Sequence, residues 1–137
     1  MTTNTYPAQP PARKDPRQVT NTLKGTFTYN QLSISSGVLM ANSIPSGAWI
    51  TNVQVNVGTT FNGAGNTLQI GTSSGGNNLV QTGDLTLGST GTTVVGRGYG
   101  PQLALAGDTG VYVQINGTGA TQGSLSVLIE FEGGNLS

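Results

Sequence analysis

Three stretches of the chain alternate apolar and polar residues with a period of two. Trp49–Val57 reads WITNVQVNV, Gly110–Asn116 reads GVYVQIN and Ser124–Glu132 reads SLSVLIEFE. Successive side chains of an extended strand point to opposite faces, so this pattern folds as half-buried β-sheet. In the first stretch Trp49, Thr51, Val53, Val55 and Val57 share a face, which predicts Trp49 as a cap on the core. In the second, Val111, Val113 and Ile115 face inward and Tyr112 outward. In the third, Leu125, Val127, Ile129 and Phe131 face inward, while Leu128, Glu130 and Glu132 face outward. From residue 23 onward no stretch carries the i, i+3, i+4, i+7 pattern of a helix without a glycine in it.

Weaker strand signals fill the intervals. Lys24–Leu32 holds Phe27 and Tyr29 on one face, and Gly37–Met40, Thr67–Gly71, Asp84–Leu87, Thr92–Val95 and Gln102–Leu105 are short apolar segments. Between them lie Asn62-Gly63, Gly75-Gly76-Asn77-Asn78 and Asn116-Gly117, which read as turns. Roughly eight or nine strands, about 8–14 residues apart, predict an all-β chain: an antiparallel β-sandwich, jelly-roll-like, preceded by an extended N-terminal arm.

The outward strand positions are mostly Thr, Ser, Asn and Gln. With Gly, those types make up 74 of the 137 residues, and only 7% of the chain is charged, against about 25% in an ordinary soluble domain. A structured chain with so neutral a surface suggests that much of that surface is covered by a partner. Composition also narrows the chemistry. There is no Cys and no His, which excludes a disulfide framework, a thiolate nucleophile, an imidazole base and a His-ligated metal. A formal net charge of zero argues against general nucleic-acid binding. The opening MTTNTYPAQPPARKDPRQ has no apolar core of a signal peptide, and no apolar run approaches the ~18 residues of a membrane helix.

Charge is divided along the chain. Arg13, Lys14, Arg17 and Lys24 stand against Asp15 at the N-terminal end, whereas the rest has only Arg97 against Asp84, Asp108, Glu130 and Glu132. Pro7, Pro10, Pro11 and Pro16 keep the early segment extended. Residues 1–22 therefore read as a basic, Pro-rich arm and residues 23–137 as the sandwich domain. The cations Arg13, Lys14, Arg17 and Lys24 are expected to bind carboxylates of a neighbouring subunit or partner. Gly96-Arg97-Gly98-Tyr99-Gly100 is not a phosphate loop, because it lacks the Lys-Ser/Thr and opens no helix. Arg97 and Tyr99 there, and Tyr112 on an outer face, are candidate contacts.

The acids offer little catalysis. Glu130 and Glu132 fall on one strand face with no opposing wall, so a general acid/base pair is not implied. Asp108 and Asp84 stand in turns, where Asx-turn bonding accounts for them. No loop carries the several acids of a calcium site. The expectation is a non-enzymatic chain with no cofactor and no metal.

Ile44-Pro45-Ser46-Gly47-Ala48 leads into Trp49–Val57 and then Thr59-Thr60-Phe61-Asn62-Gly63. Gly107-Asp108-Thr109-Gly110-Val111-Tyr112-Val113 leads through Gly119-Ala120-Thr121-Gln122-Gly123 to Leu125–Glu132. Over roughly residues 38–132 these segments resemble small β-sandwich proteins of tailed-bacteriophage virions, especially head decoration or cement proteins. The resemblance implies a structural homo-oligomer, a dimer or trimer. It would be made in the host cytoplasm and bound to the exterior of an icosahedral capsid, bridging neighbouring major capsid proteins without nucleic acid or membrane. Related modules occur in tails and fibres, so a lectin-like module recognising host glycan is the alternative. It would need an aromatic and amides exposed together in a groove.

Overall fold

The computed structural model describes residues 21–95 and 107–133. Seven strands and no helix occur among them: β1 (Asn21–Thr28), β2 (Val38–Leu39), β3 (Ala48–Thr59), β4 (Ala64–Gly71), β5 (Gly91–Val94), β6 (Tyr112–Thr118) and β7 (Ser124–Gly133). They form two sheets, a four-stranded one in the order β1-β7-β3-β5 and a three-stranded one in the order β2-β6-β4. Every pairing is antiparallel. Each successive strand changes sheet, so neighbours in sequence become facing layers rather than hairpins. The result is the expected antiparallel β-sandwich.

The inward residues of both sheets make one core. Leu23 and Phe27 of β1 join Ile50, Val53, Val55 and Val57 of β3 and Leu125, Val127, Ile129 and Phe131 of β7. They face Leu68 and Ile70 of β4 and Val113 and Ile115 of β6. Among the described residues no polar or charged residue is buried. Each fully buried Val, Leu or Ile contributes about 1.5–3 kcal/mol relative to exposure. The alternation in β6 and β7 therefore selects both strand and facing, because a slip of one residue would put every apolar group in water.

The N-terminal part of β3 departs from strict alternation. Ile50 pairs with Phe131 and Asn52 with Glu130, leaving Thr51 as an extra residue. Such a bulge reverses the facing of everything before it. Ile50 is consequently buried and Trp49 is 40% exposed. The expectation that Trp49 caps the core is thus corrected: Ile50 takes the inward place and the tryptophan stands on the outer face.

Other departures are local. Asp84–Leu87 is a loop rather than a strand. Leu87 is buried, Leu85 packs against the core, and the Leu87 carbonyl accepts the Phe61 N–H, so the pair plugs the sandwich without a ladder. Asn116-Gly117 lies within β6 rather than in a connection. Gln102–Leu105 falls outside the described residues.

Candidate interaction surface

The outer face of the four-stranded sheet is a set of cross-strand rows. Lys24 pairs with Leu128, Leu128 with Gln54 and Gln54 with Val94. The next row contains Thr26, Ser126, Asn56 and Thr92. Thr26 and Ser126 share a hydroxyl hydrogen bond of 3.2 Å, and Asn56 Nδ2 donates to Thr92 Oγ1 at 2.7 Å. On the other side, Asn52 Nδ2 donates to Glu130 Oε1 at 2.9 Å. Apart from Lys24 and the Asn52–Glu130 bond, the side chains of this face thus bond to one another in neutral pairs, with Leu128 half-buried and Val94 exposed among them. Such a surface carries little charge to desolvate on being covered.

One end of this face differs. Trp49 pairs with Glu132, and its ring lies over Gly133. Gly133 has φ +79°, and a Cβ there would approach Trp49 Cζ3 to 2.7 Å, so glycine is needed both for the backbone and for the indole's seat. Glu130 and Glu132 follow each other on the outward side of β7. Asp108 stands at the same end: its Oδ1 accepts the Ser46 N–H at 3.0 Å, just before β3 begins. That bond ties two segments distant in sequence and is not the local Asx turn expected of Asp108. Asp84 does make the local bond, accepting the Gln81 N–H at 2.9 Å.

The outer face of the three-stranded sheet is closed over part of its area. Gln114 Nε2 donates to Asn116 Oδ1, Asn116 Nδ2 donates to Thr67 Oγ1 and Gln69 Oε1, and Gln69 Nε2 donates to the Gly75 carbonyl in the loop after β4. Gln114 Oε1 is buried with no hydrogen-bond partner among the described residues. Beside this network Leu39 pairs with Tyr112. Leu39 is 52% exposed and Tyr112 half-buried, which makes a small apolar patch.

A cleft of about 280 Å³ opens at one end of the sandwich, lined by Tyr29, Asn30, Ser33, Phe61, Asn66 and Asn116 among others. Ser33 holds a left-handed φ of +66° there. The Asn66 amide is already engaged, accepting from the Gly63 N–H and donating to the Asn116 carbonyl.

The sequence-derived candidates divide accordingly. Arg13, Lys14, Arg17, Arg97 and Tyr99 lie outside the described residues. Lys24 belongs to β1, where its side chain stands exposed on the outer face. Tyr112 lies on an outer face as expected, with Leu39 as a neighbour that its sequence position did not suggest. The exposed Trp49 beside Glu132 was hidden by the bulge. Among the described residues no group of three or more acids, Cys or His could hold a metal ion.

No helix is long and apolar enough to cross a membrane among these residues. No protein-family model matches the chain. No curated protein matches it either. Its fold is similar to that of a chain in the solved structure of the cyanophage Pam1 capsid asymmetric unit. The TM-score is 0.60 at 15% identity, and the likeness covers 82% of this chain and 83% of that one.

Proposed function

We propose that the protein is a non-enzymatic structural component of a phage virion, a cement or decoration protein on the outside of the head. The observation that carries this reading is the shared fold with a chain of a phage capsid asymmetric unit. The two coverages are nearly equal, so the likeness extends over most of two chains of similar length. The neutral outer faces support it, because a surface of paired Thr, Ser, Asn and Gln with scattered apolar groups is cheap to cover. In this reading copies associate with each other and with the major capsid protein. No cofactor, nucleic acid or membrane takes part, and many small contacts add by avidity across the shell.

The Leu39–Tyr112 patch is the apolar anchor of this proposal, since an exposed leucine beside a half-buried tyrosine is suited to burial at an interface. The test is to mix the purified protein with shells of major capsid protein that lack it, and to read binding by co-sedimentation and particle imaging. Binding to the head exterior is expected. Leu39→Ser should weaken it about tenfold, the effect of one apolar anchor. Deletion of residues 1–20, which leaves β1 whole, should leave the sandwich folded and also weaken binding. Bare shells, or density at a tail tip instead of the head, would overturn the reading.

A glycan-binding module is the second reading, and the end cleft is the observation that favours it, since the half-exposed Tyr29 lies among amides there. The amides of Asn66 and Asn116 are spent on bonds within the chain, so this is the weaker reading. A glycan array with the full chain checks it.

A further inference from the structure

We infer that two copies of the chain pair through their β1 strands, antiparallel about a two-fold axis at Gly25, and so join their four-stranded sheets into one. β1 is eight residues long and pairs with β7 on one side; its other side meets no strand among the described residues. The Tyr29 N–H donates to the Gly123 carbonyl at 3.1 Å, one step beyond the register that sets Thr28 opposite Ser124. In an antiparallel ladder, hydrogen-bonded pairs alternate with unbonded ones. Leu23, Gly25 and Phe27 therefore bond to β7, while Thr22, Lys24 and Thr26 turn their N–H and C=O groups to the open side. A row of such groups is a template for a further strand. A cleft of about 310 Å³ runs along the same edge, with Phe27, Val38 and Met40 in its lining.

The strand that fits this edge is β1 itself. Bonded pairing sets an even-numbered residue opposite an even-numbered one, so the axis of a symmetric pair falls on a residue. An axis at Lys24 brings two ammonium groups directly opposite, which is unfavourable, so the lysine guards against that register. An axis at Leu23 or Thr26 leaves three residues of β1 hanging past the partner strand. An axis at Gly25 pairs Thr22 through Thr28 without a gap. Lys24 then lies opposite Thr26 of the second copy, and Leu23 opposite Phe27. On the outer face, Thr26 and Ser126 share a hydroxyl bond of 3.2 Å, and Lys24 of the second copy continues that row with an ammonium that can donate to hydroxyl oxygens. Glycine at the axis suits the close approach of two backbones. The contact is isologous, the same patch on both copies. This pairing rests on the self-association part of the proposed function and not on its shell-binding part.

The chain has no cysteine, so an introduced thiol reports a single position. Under mild oxidation, a mixture of full-length Lys24→Cys and Thr26→Cys chains should crosslink about tenfold faster than either chain alone. Residues directly opposite have Cα atoms about 5.5 Å apart, within disulfide reach, whereas like positions are diagonal. In the unaltered chain, hydrogen exchange at the Lys24 and Thr26 amides should slow as concentration rises, in step with dimer formation in analytical ultracentrifugation. Thr26→Pro removes an outward N–H that an edge strand can spare; it should keep the parent's urea midpoint and weaken the dimer about tenfold. Thr26→Glu, opposite Lys24 of the second copy, should tighten the dimer about threefold and lose that gain in about 0.5 M salt. Faster crosslinking of like chains would overturn the axis at Gly25. Amide protection at every dilution would mean that the chain's own residues cover the edge, and would overturn the pairing. A dimer indifferent to both Thr26 substitutions would leave self-association standing through another surface, and a monomer at every concentration would remove both.

Discussion

Gly123 shows how a single residue can hold two layers together. It precedes β7 with φ +146°, and a Cβ there would overlap the Phe61 ring. Phe61 is buried under the loop that carries Leu87, whose carbonyl accepts its N–H at 2.9 Å. Replacement by alanine adds a strained backbone to an overpacked ring. Each cost is about 1–3 kcal/mol, so Gly123→Ala should lose about 3 kcal/mol in urea unfolding. Gly83, where a Cβ would meet nothing within 4 Å, is the control, and Gly83→Ala should change stability by less than about 0.5 kcal/mol. Equal losses at the two positions would mean that Phe61 yields at little cost.

At the scale of the element, the three alternating stretches became the centre of the sandwich, and β6 and β7 kept the facing that their periods dictate. The reason is energetic: four inward apolar residues on β7 leave one register that buries them all. β3 was legible only from Val53 onward. A strict period run back through Thr51 places Trp49 inside, and nothing in WITN marks the extra residue. The bulge is decided by pairing with β7, a partner about 80 residues away, so no local pattern contains it. The outer-face patches were illegible for the same reason. Leu39 and Tyr112 meet through sheet pairing, and Trp49 and Glu132 through register. Asp84–Leu87 has the period of a strand but serves as a plug, because its two leucines reach the core from a loop. The bulge makes a direct prediction. Deleting Thr51 removes the extra residue and puts Ile50 directly before the outward Asn52, so Ile50 stays inward against Phe131 and Trp49 stays outward against Glu132. The deletion should cost about 0.5–1.5 kcal/mol, the loss of the Thr51 hydroxyl's bond to the Glu130 carbonyl, and should leave Trp49 as open to acrylamide quenching as in the parent. A quenching constant well below the parent's would mean that the strand slips by one residue and turns Trp49 inward.

At the scale of the whole molecule, the edges and the charges explain each other. β2 has two residues and β5 four, and the open side of β4 is covered where Ile70 bonds Val80. β1 is the long unpaired edge among the described strands, and it carries Lys24, the one cation among the described residues, as edge strands commonly do against unwanted pairing. The remaining cations, Arg13, Lys14, Arg17 and Arg97, lie outside the described residues, and the described sandwich presents two chemistries. The neutral faces and the Leu39–Tyr112 patch offer a contact that salt does little to weaken, because apolar burial is not screened. The exposed Glu132 beside Trp49 is the charged surface, and contacts made by such a group weaken with salt because the Debye length falls from about 10 Å at 0.1 M to 3 Å at 1 M. The two contacts are therefore separable by ionic strength. Between 0.05 and 0.5 M salt, binding of the protein without residues 1–20 to shells should change less than about threefold. A loss of about tenfold would mean that shell binding is carried by charge, and would move the shell contact from the neutral patch to the acidic end of the sandwich.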